Sequence, residues 1–171
     1  MSDESTRPAT KVAELLRSQR FGMLTTTDSD GTLMSRPMTM QEVEFDGDLW
    51  FFAARDSRKI AQLSAHPQVN VAVGSSDSWI SLTGTGVWIS LTGTGVVVTD
   101  VAKKRELWNS VVEAWFPDGP DDDGVVLLKV AAESAEYWDS PGGRVATAIS
   151  FAKAKLTGQR YSGGENEKVD L

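Results

Sequence analysis

The chain begins with a polar stretch, residues 1–9, which reads as a flexible arm. Thr10 is suited to cap a helix in which Val12, Leu15 and Leu16 fall at helical spacing. Phe21–Thr27 reads as a strand, and Asp28-Ser29-Asp30-Gly31 as a tight hairpin turn. Thr32–Phe45 predicts a long strand region. Pro37 lies inside it and lacks a ladder donor, so an edge or a bulge is expected there. Asp46-Gly47-Asp48 signals a second turn, and Leu49–Ala54 is an apolar strand. Ser57 opens a short helix with Ile60 and Leu63 facing inward; Pro67 follows it, and Gln68–Gly74 is the next strand. His66 falls near the end of that helix, where partial positive charge is favourable.

Residues 79–98 are strand-like and rich in Thr, Val and Ile. Asp100 can cap a third helix, whose Val101, Lys104, Trp108, Val111, Val112 and Trp115 share one face, with Lys104 the least apolar member. Pro117–Gly124 is an acidic loop, Val125–Trp138 a further strand region, and Arg144–Leu156 has helical character. The polar tail, residues 158–171, is expected to be mobile, which leaves 10–157 as one domain. Short strands broken by hairpin turns, with few helices and no βαβ rhythm, predict a small β-barrel with added helices.

One feature breaks the ordinary pattern. Trp79–Val87 reads WISLTGTGV, and Trp88–Val96 repeats it letter for letter, so 79–96 is a tandem duplication. A strand has a side-chain period of two, so an odd insertion of nine residues would turn the second copy's side chains to the opposite face. It would also lengthen the strand by about 30 Å. One copy is therefore expected to occupy the barrel position while the other loops out or makes an extra hairpin. Either copy fits the slot by sequence.

The 171 residues suit one domain, with 40% hydrophobic and 24% charged residues. A formal net charge of −7 disfavours broad binding to nucleic acid or to anionic membranes, and no apolar run is long enough for a membrane span. Cysteine is absent, which removes disulfide and thiolate chemistry and fits a reducing cytoplasm. With a single histidine, His66, neither an ordinary zinc site nor a Ser-His-Asp arrangement is expected. Gly84-Thr85-Gly86 lacks the third glycine of a dinucleotide fingerprint, and Asp118–Gly124 lacks the spacing of a calcium loop.

Two stretches carry candidate chemistry. In Leu49–Ile60 a strand runs into a helix N-terminus, where backbone N–H groups favour an anion. Arg58 and Lys59 lie in that first turn against the helix dipole, a conflict that a bound phosphate would relieve, and Ser57 can cap the helix or bond a phosphate oxygen. The same spacing also suits a plain capped helix with two solvated charges. In Ser35-Arg36-Pro37-Met38-Thr39-Met40, an Arg beside a Pro-bent strand can project into a cavity or stand exposed on an edge.

The order of these motifs is a hairpin, S-R-P-M, a second hairpin, L-W-F-F, S-R-K at a helix start, then H-P-Q-V-N-V. It resembles the general stress protein 26 branch of the pyridoxamine 5′-phosphate oxidase-like family, as do Trp115-Phe116-Pro117-Asp118-Gly119 and the tail from Gly164 to Leu171. The resemblance implies a mainly β chain with helices (α+β), a six-stranded antiparallel split β-barrel of Greek-key type, and a cytoplasmic homodimer with FMN at the subunit interface. It places Arg36, Pro37, Met38, Thr39, Phe52 and Ala53 beside the flavin, and Ser57, Arg58 and Lys59 on its phosphate. Trp138 is an aromatic contact near the ring, and either Ile80-Ser81 or Ile89-Ser90 supplies a further one. No catalytic residue or metal is implied.

A flavin-dependent oxidoreductase acting on a small substrate is the reading that follows. A flavin-binding stress or storage protein without turnover, or a split barrel holding deazaflavin or haem, are its alternatives. Asp139-Ser140-Pro141-Gly142-Gly143-Arg144 stands where pyridoxamine-phosphate oxidases carry an R-x-H-D-R-like segment, so the resemblance does not extend to oxidation of pyridoxamine phosphate.

Overall fold

The computed structural model describes residues 6–74, 87–139 and 165–171. Four helices and seven strands follow one another as α1 (Thr6–Arg17), β1 (Phe21–Thr27), β2 (Leu33–Thr39), β3 (Asp48–Ala54), α2 (Arg58–Ala65), β4 (Gln68–Gly74), β5 (Val87–Val98), α3 (Val101–Leu107), α4 (Ser110–Trp115), β6 (Val125–Asp139) and β7 (Glu165–Asp170). All strand pairs are antiparallel, in the order β2-β1-β4-β5-β6-β3, with β7 added to β6. Among the described residues the sheet therefore has seven strands where six were expected, and β2 and β3 end the path without a ladder between them.

The long strand β6 explains this arrangement. One of its edges pairs with β5, while the other is shared, Val125–Ala131 with β3 and Ser134–Asp139 with β7. The tail expected to be loose thus contributes a strand, and its Val169 is buried in the main core. Alternation explains why: in a polar segment, Val169 is the residue whose burial rewards ordering.

Pro37 lies on an edge strand, as its missing donor requires. The region expected to run as a strand to Phe45 ends at Thr39. The first helix starts at Thr6, so Thr10 lies within it and is not its cap. His66 is the C-terminal cap of α2, and its N–H donates to the Gln62 carbonyl. Asp100 caps α3 by accepting from the N–H groups of Ala102 and Lys103. The single helix expected after it is two: Asn109 caps a new helix, α4, by accepting from the N–H groups of Val111 and Val112. That break destroys the shared face, and Trp115 is 76% exposed while Lys104 is 1% exposed.

Of the duplicated pair, the second copy builds β5, with Trp88 opposite Gly74 and Leu91 opposite Val71. The first copy lies almost wholly outside the described residues, as does 144–156. Ile89 and Leu91 enter the core between Val71, Val73 and Tyr137. Full burial of a side chain of this size contributes roughly 1.5–3 kcal/mol.

Two cores result. The main one fills the inner face of the sheet, from Val12 and Leu16 of α1 through Leu24, Phe51, Leu63, Val71, Val126 and Leu128. The second lies between the other face of β3 and β6 and the short helices, around Phe52, Leu107, Val112, Val125 and Leu127. Helix α2 reaches the sheet over Gly95, where a Cβ would overlap Leu63. Among the described residues no helix is long and apolar enough to cross a membrane.

Candidate anion site at the start of helix α2

Arg36 stands opposite Leu24 in the β1–β2 register, so its side chain lies on the inner face of the sheet with Leu24 and Thr26. Its Nη1 donates to Thr26 Oγ1 at 2.8 Å and its Nη2 to Gln62 Oε1 at 3.1 Å. Thr26 Oγ1 in turn donates to Gln62 Oε1 at 2.6 Å. These partners are neutral, so the guanidinium is oriented without being neutralised. Burial lowers the Arg36 pKa, and the charge of Arg58 adds to that, yet an arginine remains a cation throughout the ordinary pH range.

Lys59 lies in the first turn of α2. Burial and then the charge of Arg36 push its pKa down, and among the described residues it has neither a hydrogen bond nor an ion pair. Its neighbour Arg58 pairs with Asp28 of the β1–β2 turn. The Asp28 carboxyl is held below its usual range by the Ser29 N–H, then by Arg58, and to a lesser degree by the Gln62 amide, which approaches it without meeting hydrogen-bond geometry. Ser57 occupies the cap position, but its hydroxyl donates to the Ala54 carbonyl at 2.6 Å, and no side chain caps the helix. Arg36 therefore feels the charge of Arg58, and Lys59 that of Arg36, at the end of the helix where first-turn N–H groups favour an anion.

Gln62 completes this cluster and was not anticipated from sequence. It is 3% exposed, and its Nε2 is buried without a hydrogen-bond partner. A buried amide donor left unsatisfied is costly, as are cations packed without an anion. Both features fit a phosphate, which supplies acceptor oxygens and negative charge. The available sequence signal was a polar residue on the apolar face of α2, beside Ile60 and Leu63.

The other anticipated residues divide. Pro37, Met38 and Thr39 continue β2 beyond Arg36 along the sheet edge, with Met38 against the main core. Ala53 is buried in the main core, and the Phe52 ring packs edge-on to Trp108 at 5.3 Å and 86°. Their side chains are committed to packing, so only the backbone edge of β3 can line a ligand there. Trp138 lies elsewhere. In the linked registers Leu24, Val71, Leu91 and Ala135 share the inner face, which puts Trp138 on the outer one opposite Trp88. Within one chain Arg36 and Trp138 therefore occupy opposite faces. Ser90 is on the outer face too, accepting from Asn70 Nδ2 at 2.8 Å; Ile89 faces the core, and Ile80-Ser81 lies outside the described residues.

A groove of about 620 Å³ between α1 and the 40–50 segment is lined by residues such as Leu16, Met40 and Trp50, and by none of Arg36, Ser57, Arg58 or Lys59. Among the described residues no three His, Cys, Asp or Glu side chains gather in a way that could hold a metal ion.

The family profile described as "Pyridoxamine 5'-phosphate oxidase like" matches residues 7–162. A crystal structure of a candidate general stress protein 26 from Jannaschia sp. CCS1 is 27% identical, with 97% of this chain and 99% of that one covered at a TM-score of 0.72. The general stress FMN/FAD binding protein of the phytopathogen Xanthomonas citri is 32% identical over 80% of this chain and 91% of its own, with a TM-score of 0.64. The General Stress Protein 26 of Bacillus anthracis str. Sterne, 24% identical over 77% of this chain and 93% of its own, shares the fold at a TM-score of 0.65. No curated protein matches the chain.

Proposed function

From the premise that this chain belongs to the pyridoxamine 5′-phosphate oxidase-like family, we propose that it binds FMN and serves as a flavin-dependent oxidoreductase on a small substrate. The observation that carries this reading is the cation cluster at the start of α2: among the described residues Arg36 and Lys59 have no carboxylate partner, and the Gln62 Nε2 is a buried donor without a hydrogen bond. A phosphomonoester satisfies all three through charge-assisted hydrogen bonds. The Xanthomonas citri relative is described as binding FMN or FAD, which supports a flavin in general. FMN is favoured over FAD because its phosphate is terminal and can sit directly on the helix N-terminus.

Bound flavin supplies the redox chemistry, and the protein orients and tunes it. In this reading Arg58, Lys59 and the first-turn N–H groups hold the phosphate. Residues 37–39 and the backbone edge of β3 flank the ring, and Arg36, held on Gln62, reaches the phosphate from the ring side.

The active form in this proposal is a cytoplasmic homodimer. One outer sheet face carries Phe21, Met23, Trp88 and Trp138, all substantially exposed in the single chain. Apolar patches of this kind mark interaction surfaces. The placement of Trp138 away from Arg36 favours the same conclusion, because only a second chain can bring this Trp to a flavin gripped at α2. The gap between β2 and β3 suits the split barrel of the family.

The test is an absorbance spectrum after FMN loading and desalting, with mass-resolved size exclusion. Retained flavin bands in a dimer support the reading; a colourless protein that fails to retain FMN removes it. Replacing Arg58 and Lys59 by Ala should abolish retention. Reduction by NADH or NADPH in stopped flow separates an enzyme from a flavin-holding protein without turnover.

A further inference from the structure

We propose that Asp28 is a resident counter-ion that competes with the flavin phosphate for Arg58 and so sets how tightly the α2 site holds a phosphomonoester. This rests on reading that site as a phosphate grip. Asp28 is the carboxylate that reaches the cluster, and it does so from a different element, the turn joining β1 to β2. Its own position is well determined: Oδ1 accepts from the Ser29 N–H at 2.9 Å, the Asp28 N–H donates to the Thr32 carbonyl at 2.8 Å, and the Gly31 N–H closes the turn on the Asp28 carbonyl at 2.9 Å. Its side chain is 16% exposed, whereas that of Arg58 is 67% exposed. The carboxylate is thus the fixed partner and the long arginine the movable one.

Of the three cations, Arg36 is tied to neutral oxygens and Lys59 has no partner among the described residues, so neither is drawn away from an incoming anion. Arg58 alone is drawn away. For it to give its full fork to a phosphate, the contact with Asp28 must loosen, and a carboxylate left nearby repels the phosphate oxygens. The arrangement keeps one charge of the protein's empty site compensated, at the expense of affinity. Asp28 does not touch the flavin in this account; it acts through Arg58.

The test is FMN affinity, read by quenching of flavin fluorescence, in the wild-type chain, Asp28→Asn, Arg58→Ala and the double variant. Asparagine keeps an oxygen for the Ser29 N–H and is at home in turns, so the hairpin is preserved. Asp28→Asn should tighten binding by about threefold to tenfold, tenfold being about 1.4 kcal/mol, and most of this gain should vanish in the Arg58→Ala background. Wild-type binding with Asp28→Asn equal or weaker overturns the competition and leaves the flavin reading intact. A gain that persists without Arg58 also overturns it, since the effect would then be bare repulsion. Absence of FMN binding in all four proteins removes the flavin reading, and this inference with it.

Discussion

Arg36 on the edge strand β2 and Gln62 on helix α2 meet at 3.1 Å, guanidinium to amide oxygen, with Thr26 of β1 bonded to both. This triad joins the β1–β2 hairpin to a helix 26 residues beyond Arg36. It aims a cation without neutralising it, which is what an anion site requires.

Replacing Gln62 by Leu should therefore act twice. It removes the acceptor of a buried hydroxyl and of a half-buried guanidinium, a loss of about 1–3 kcal/mol in urea denaturation. It also frees Arg36, so FMN affinity should fall. Arg36→Ala should weaken FMN by about tenfold or more, because a charge-assisted bond is lost, while costing less stability than Gln62→Leu.

Lys59→Met should separate stability from function. The pKa of Lys59 is lowered in the folded chain by burial and by Arg36, so the folded state binds fewer protons than the unfolded one as pH approaches the ordinary lysine value. Stability of the flavin-free protein should then rise with pH through the window between the lowered pKa and the unfolded value of 10.5. Below that window the charged lysine is a constant penalty. Lys59→Met should lose this rise and melt at the same or a higher temperature near neutral pH, while its FMN affinity falls. Melting curves at a series of pH values, with and without FMN, check both.

Lys104 offers a test remote from the proposed site. Its Nζ is buried and donates to the carbonyls of Asp122 at 2.9 Å and Val125 at 3.0 Å, fastening α3 to the acidic loop. Lys104→Met keeps the stem and strands two carbonyls, so unfolding should be easier by about 1–3 kcal/mol. FMN affinity should be unchanged. A Met variant as stable as wild type would show that water replaces the ammonium.

Deleting residues 79–87 produces the same sequence as deleting 88–96, since the copies are identical. The shortened chain should keep the pairings of β5 from Trp88 onward, and its FMN affinity should equal that of the full chain. Its connection from β4 is shorter, and closure entropy changes by only about 0.6 kcal/mol per doubling of loop length. A melting temperature equal to or slightly above that of the full chain is expected. A large loss would mean that the first copy contributes packing of its own.

Much of this protein is determined by its sequence alone. Alternation marks β4 because a half-buried strand imposes a period of two, a continuous apolar run marks β3 because both its faces meet a core, and Gly31 and Gly47, at φ +85° and +106°, sit where the turns demand them. Asp100 announces its helix through chemistry local to three residues. Arg58 and Lys59 were legible as a possible anion site because their conflict with the helix dipole is also local. What only the tertiary structure decided depends on contacts between distant segments. Trp108–Asn109 splits a helix whose periodicity looked continuous, because Phe52 takes the Trp108 ring and Asn109 Nδ2 donates to Gln41 Oε1 at 2.9 Å. Lys104 enters a core because carbonyls about twenty residues away receive its charge. The choice of the second repeat copy, the pairing of Asp28 with Arg58, and the separation of Trp138 from Arg36 follow from register and approach across the sheet. Those are properties of pairs of segments, and no local pattern in the chain encodes them.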